Sequence, residues 1–150
     1  MITPLSDRSG RPLIGNLDGV PTPVRVLVVD DHEDTARLSA RILSLSGFEV
    51  QTALDGNRAV TAARSFKPDF ILLDIGLPGL NGYEVAEILS KDESCAGSTL
   101  IAISGYGGEA ALKRAKLAGF HHYLTKPVDF DNLAALIAST QTSGAAVRSH

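Results

Sequence analysis

Five short apolar runs, each followed by a segment of helical period, constrain the fold of this chain more than any other feature. Val24 to Val29 is a β-branched run that suits a strand covered on both faces, and it stops abruptly at Asp30. The next segment sets Leu38, Ile42 and Leu45 at helical spacing, opens with Glu33 and Asp34 where the helix dipole favours acids, and closes at Gly47. Phe48 to Ala53 reads as a second strand, and Asp55 is placed to cap a helix whose Ala59, Ala63 and Phe66 share a face before Pro68. Phe70 to Leu73 is a third strand ending at another aspartate, Asp74, and Tyr83 to Leu89 offers Val85, Ile88 and Leu89 as one helical face. Leu100 to Ile103 makes a fourth strand, followed by a slim helical face of Ala111, Ala115 and Ala118 that ends at Gly119. A strand at His122 to Leu124 and a last helix, marked by Leu133, Leu136 and Ile137 behind Asp129, complete the series.

Strict alternation of strands and helices implies a parallel sheet with helices on both faces, because the crossovers are right-handed. Five such units predict an α/β fold, a doubly wound sandwich. In such sheets ligands sit outside the carboxyl ends of the strands, near the point where strand order reverses.

A chain of 150 residues, 44% apolar and 21% charged, can bury one real core but hardly two. Residues 1–23 mix Pro4, Pro12, Pro21 and Pro23 with Gly10, Gly15 and Gly19, which breaks helix and strand periods and reads as a flexible leader. Residues 24–140 read as the domain. From Ser139 on, Ser, Thr, Gly and Ala replace the apolar period, so 141–150 read as a flexible tail. The formal charge is only −3 and the Lys and Arg are scattered, so no basic stripe offers a nucleic-acid backbone several contacts at once. Cys95 stands alone, which rules out a disulfide framework or a Cys-based zinc site within one chain and suits a reducing cytoplasm. No apolar run approaches the roughly eighteen residues of a spanning helix, and the N-terminus lacks a secretion signal, so the expectation is a cytoplasmic chain with no membrane partner.

At or just beyond the carboxyl ends of the first, third, fourth and fifth strands stand Asp30 and Asp31, then Asp74, then Ser104, and finally Lys126. Three converging carboxylates repel one another and cannot all stay ionised without a cation among them. Mg²⁺ answers this need, because it prefers oxygen ligands and keeps several waters that a phosphoryl oxygen can replace. Lys126 adds a compact positive charge and the Ser104 hydroxyl a hydrogen-bond donor. An aspartate after a strand is by itself an ordinary turn or cap residue. It is the joint placement on separate strands that points to phosphoryl transfer.

The wording of these strand ends, Val-Leu-Val-Val-Asp-Asp, Leu-Leu-Asp-Ile-Gly-Leu-Pro-Gly, Ile-Ser-Gly-Tyr and Tyr-Leu-Thr-Lys-Pro, resembles the motifs of bacterial response-regulator receiver domains, the CheY-like superfamily of two-component phosphorelay systems. The resemblance runs from about Arg25 to Ser139. It implies a flavodoxin-like (βα)5 sheet in the order 2-1-3-4-5, with Asp74 as phospho-acceptor. Asp31 would bind Mg²⁺ directly, Asp30 largely through water, Asp74 itself, and Gly76 through its backbone carbonyl, with Mn²⁺ able to substitute. Ser104 would be the switch hydroxyl that turns towards the phosphoryl group, Tyr123 the aromatic that follows it inward, and Lys126 the cation on the phosphoryl oxygens. Pro127 would follow a cis peptide bond. The implied partners are a sensor histidine kinase or histidine phosphotransfer protein and a downstream protein target, met through the last two helices and the last strand; a homodimer stays open. Such a chain is a signalling receiver and no enzyme beyond its own phosphorylation and dephosphorylation.

Other residues read more plainly. His121 and His122 adjoin the fifth strand without a third convergent ligand, which makes them surface or rim residues. Gly76 leaves the path of an attacking water open, whereas a bulky Tyr106 would partly cover it, and Gly107 and Gly108 suggest a mobile loop. Three alternatives compete. Gly-Leu-Pro-Gly and Ser-Gly-Tyr-Gly also resemble the receiver piece of a hybrid histidine kinase, although an N-terminal Met before a leader looks like a complete small protein. A Mg²⁺-dependent phosphohydrolase with an aspartyl-phosphate intermediate would need a cap or lid that the pattern does not contain. A purely interacting domain would never be phosphorylated.

Overall fold

Val26, Leu27, Val28 and Val29 are each at most 4% exposed, so consecutive side chains that point to opposite faces of a strand are both covered. The computed structural model describes residues 13–17, 20–105 and 107–148. These form two sheets. An antiparallel pair, β1 (Leu13–Leu17) and β2 (Val20–Pro23), precedes a five-stranded parallel sheet of β3 (Arg25–Val29), β4 (Glu49–Ala53), β5 (Phe70–Asp74), β6 (Thr99–Ser104) and β7 (His122–Thr125). The helices are α1 (Glu33–Leu45), α2 (Gly56–Phe66), α3 (Gly82–Ser90), α4 (Glu109–Ala118) and α5 (Phe130–Arg148). The sheet runs β4-β3-β5-β6-β7 with every neighbouring pair parallel, which is the flavodoxin-like 2-1-3-4-5 order.

The two faces of the sheet carry separate cores. Leu27, Val29, Ile71 and Leu73 pack with Ala59 and Ala63 of α2, Val85 and Leu89 of α3, and Ala115 and Ala118 of α4. Val26, Val28, Phe70, Leu72, Ile101 and Ile103 pack with Leu43 of α1 and Leu133 and Ile137 of α5. Each fully buried Leu, Ile, Val or Phe contributes about 1.5–3 kcal/mol relative to exposure, so both layers are needed to offset the entropy of ordering the chain.

Helix starts are marked chemically. Asp55 accepts from the Arg58 amide at 2.8 Å, and Asp129 accepts from the amides of Asp131 and Asn132 at 3.0 and 3.1 Å. Asn81 and Glu84 form a reciprocal capping box at the start of α3. The next residue, Gly82, has no room for a side chain: a Cβ there would lie 2.6 Å from Ile75 Cα and 2.7 Å from the Asp74 carbonyl oxygen. The absent side chain lets α3 press directly on the strand end that carries Asp74.

Four expectations change. In α1 the inner face is Ala36 and Leu43, while Leu38 and Leu45 are 59% and 80% exposed. In α3, Val85, Ala86 and Leu89 turn inward and Ile88 is exposed. Apolar residues three and four apart define overlapping stripes, and packing against the sheet selected the stripe shifted towards the smaller residues. The leader, expected to break strand periods, contains the β1–β2 pair, whose register shifts between Ile14 and Asn16. Such a shift accommodates one extra residue without ending the pairing. The tail, expected to begin at 141, is helical through Arg148. No proline interrupts it, and each added residue closes one more backbone bond on an existing helix.

Candidate functional site

Val29 pairs with Leu73, so the next residues along these two strands, Asp30 and Asp74, leave the sheet side by side. The strand order reverses at this junction of β3 and β5. Asp74 pairs with Ile103, and Ser104 with Thr125, which brings β6 and β7 to the same edge. The Lys126 amide, just past β7, donates to the Ser104 carbonyl at 2.7 Å and holds the loop to that edge. Asp30, Asp74, Lys126, His32, Leu38 and Phe130 line one open cleft of about 630 Å³.

Asp74 is the buried centre of the group. Its side chain is 7% exposed; Oδ2 accepts from Lys126 Nζ at 2.8 Å and Oδ1 from the Gly76 amide at 2.8 Å. Both oxygens are therefore held in fixed directions. Asp30 is also buried, and its Oδ1 accepts from the His32 amide at 2.9 Å, with His32 Nδ1 at 3.2 Å. Burial by itself would lower the pKa of Lys126, but the hydrogen bond it donates to Asp74 and the charges of Asp74, Asp30 and Asp31 outweigh it, and the ammonium is held above its ordinary value.

Ligand atoms of Asp30, Asp31, His32 and Asp74 all lie within 4.8 Å of one another. Opposite donors on a six-coordinate ion with bonds of about 2.0–2.1 Å are about 4 Å apart, so the span of this set is close to that of one cation's ligands. Three of the four residues offer carboxylate oxygens, the donors a hard divalent ion takes. The residues present thus fit a metal ion.

The remaining expected residues fall as follows. Ser104 is buried at the end of β6, and Tyr123, facing Ala102 across the β6–β7 pair, packs against the core that holds α2, α3 and α4. Gly76 is exposed, and a Cβ there would make ordinary contact with Asp74 Oδ1 at 3.5 Å. The Lys126–Pro127 peptide bond is cis. His121 is exposed, and its Nδ1 accepts from the Leu100 amide at 2.9 Å; neither His121 nor His122 belongs to the acidic group. Tyr106 lies outside the described residues. His32 is the member that reasoning from strand ends passed over; its adjacency to the acidic pair was the available signal.

Residues 26–138 match the family described as response regulator receiver domain. The chain belongs to that family. This receiver is 36% identical over 115 residues to the response regulator PleD of Caulobacter vibrioides, covering 77% of this chain and 25% of PleD. It is 35% identical over 113 residues to the protein PilH of Pseudomonas aeruginosa, covering 75% of this chain and 93% of PilH. The chain thus spans a quarter of one curated relative and nearly the whole of another. Among solved structures, a CheY-like receiver domain protein from Methanospirillum hungatei superposes with a TM-score of 0.75 at 26% identity, covering 81% of this chain and 96% of that one. Receivers of two-component systems are signalling modules rather than metabolic enzymes. Among the described residues no helix is long and apolar enough to cross a membrane.

Proposed function

We propose that this receiver accepts a phosphoryl group on Asp74 from the phosphohistidine of a sensor histidine kinase or histidine phosphotransfer protein. The observation that carries this reading is the Asp74 carboxylate, buried yet open to the cleft, with each oxygen held at 2.8 Å by a different donor. One carboxylate oxygen forms a bond to phosphorus in line with the phosphorus–nitrogen bond that breaks, and the imidazole leaves with the bonding pair. The Gly76 amide orients the attacking carboxylate, and Lys126 moves its contact onto the transferred oxygens. Asp30, Asp31, Asp74 and the Gly76 carbonyl would hold Mg²⁺, or Mn²⁺ in its place. When bound, the ion supplies positive charge against the oxygens of the transferred group.

The acyl phosphate carries more negative charge and more acceptor oxygens than the carboxylate it replaces. Ser104 turns towards these oxygens and Tyr123 follows inward, which changes the face of α4, β7 and α5 presented to a downstream protein or a second copy. Coupling of this kind is typically about 1–3 kcal/mol, enough to shift an affinity without refolding the domain. The reading places the chain in the cytoplasm with its kinase, either as a separate regulator or as the receiver of a longer hybrid kinase; the chemistry at Asp74 is common to both.

Incubation with a small acyl phosphate and Mg²⁺ followed by intact-mass measurement tests the assignment. One phosphoryl group per chain is expected, lost in Asp74→Ala. Undiminished labelling of Asp74→Ala, or multiple turnover of unrelated phosphate esters, would overturn it.

A further inference from the structure

The side chain of His32 stands at the acidic edge, its ring nitrogen within hydrogen-bond distance of Asp30. His32 is the N-cap residue of α1, yet its side chain makes no capping bond. The His32 amide bonds to Asp30 Oδ1 at 2.9 Å, which turns the backbone back on itself, and the ring follows. Its Nδ1 lies 3.2 Å from Asp30 Oδ1 and 3.4 Å from Asp31 Oδ1. Adjacent donors on a six-coordinate ion with bonds of about 2.0–2.1 Å are about 3 Å apart. The ring nitrogen therefore holds close to an adjacent-ligand separation from two carboxylate oxygens at once. The side chain is 71% exposed, so Nε2 can carry the imidazole proton into water while Nδ1 turns its lone pair to the ion.

We propose that His32 is a direct nitrogen ligand of this site through Nδ1, and that it biases the receiver towards borderline transition ions such as Co²⁺ over Mg²⁺. The inference rests on the divalent-ion reading above and deepens it. Carboxylate and water oxygens suit Mg²⁺ and Mn²⁺, whereas imidazole nitrogen is preferred by the later first-row ions. A site of three carboxylates and one imidazole admits both classes, with His32 deciding how far the balance moves. The competing reading, a surface imidazole that only pairs with its acidic neighbours, contributes little energy and no metal preference.

The test uses the full chain with two probes. Pulsed electron paramagnetic resonance of the Mn²⁺-loaded protein reads nitrogen ligation directly, and calorimetric titration with Co²⁺ and with Mg²⁺ reads selectivity, each in the unaltered chain, His32→Ala and His32→Asn. The exposed ring makes both variants compatible with folding, which circular dichroism checks. A ¹⁴N coupling is expected in the unaltered chain and absent in His32→Ala. Co²⁺ affinity should fall about tenfold or more in both variants, with Mg²⁺ affinity unchanged. Absence of ¹⁴N coupling, or equal losses for Co²⁺ and Mg²⁺, overturns the role of His32 while Mg²⁺ binding survives. Failure of the unaltered chain to bind any of the three ions overturns both this inference and the divalent-ion reading beneath it.

Discussion

Lys126 Nζ lies 2.8 Å from Asp74 Oδ2, joining two residues 52 positions apart at the carboxyl edge of the sheet. Replacing Lys126 with Met removes the cation that holds Asp74 Oδ2, and with it the charge proposed to face the transferred oxygens. Phosphorylation of Lys126→Met by a small acyl phosphate should slow by about 10²–10³-fold, the usual cost of losing one preorganised charged donor. The pH dependence has a definite sign. The folded-state pKa of Lys126 is raised, so its contribution to stability is complete below the unfolded lysine value and is lost as pH climbs through the higher folded one. Urea unfolding of the metal-free protein should therefore show a steeper loss above about pH 10.4 in the unaltered chain than in Lys126→Met. The exposure of the lysine head keeps this difference small.

Gly82 sits where a Cβ would meet the Asp74 carbonyl oxygen at 2.7 Å, and that neighbour is backbone. Gly82→Ala must push α3 off the strand end or displace Asp74. A loss of about 1–3 kcal/mol is expected in denaturant unfolding, as for other overpacked sites. The phosphorylation rate should fall as well, because Asp74, the proposed acceptor, shifts. An alanine variant as stable and as reactive as the unaltered chain would show that the contact relaxes freely.

The inner face of α1 gives a paired test. Leu43 is 1% exposed and Leu45 is 80% exposed, two residues apart on the same helix. Leu43→Ala should cost about 2–5 kcal/mol, the range for a large-to-small change in a core. Leu45→Lys should stay within about 0.5 kcal/mol. Equal costs would restore the face first expected from the spacing of Leu38, Ile42 and Leu45.

Asp92 is a surface group with unusually strong local partners: Ser94 Oγ at 2.6 Å, Arg64 Nε at 2.6 Å and the Ser94 amide at 2.9 Å. The Ser94 hydroxyl, then Arg64, then the Ser94 amide hold its pKa down at about 2. A depressed carboxylate contributes stability above its unfolded pKa and loses it as pH falls through the folded value. Carboxyl-resolved NMR should place its titration near 2, and Ser94→Ala should return it towards the ordinary carboxylate range of 3.8. A titration already at 3.8 in the unaltered chain would mean these bonds do not persist in solution.

The run from Val26 to Val29, the Asp55 and Asp129 caps and the Gly119 stop were legible because burial on both faces, capping and left-handed backbone each demand particular residue types locally. The same rules did not orient α1 or α3. Leu38, Leu45 and Ile88 fit a helical stripe as well as their buried neighbours do, and only contact with the sheet chooses between stripes. The β1–β2 pair and the helical stretch to Arg148 ran against composition, since pairing and propagation depend on backbone bonds that composition reports weakly.

The amino-acid sequence by itself determined the order of strands and helices from β3 to α5 and which chemical groups stand at the ends of β3, β5, β6 and β7. Tertiary structure alone decided that Lys126 and the Gly76 amide take opposite oxygens of Asp74, and that His32 turns back to the acidic pair. The physical reason is one of range. Periodicity and capping act within a few residues, whereas the separations that make a charged site are set by strand register and packing between segments far apart in the chain.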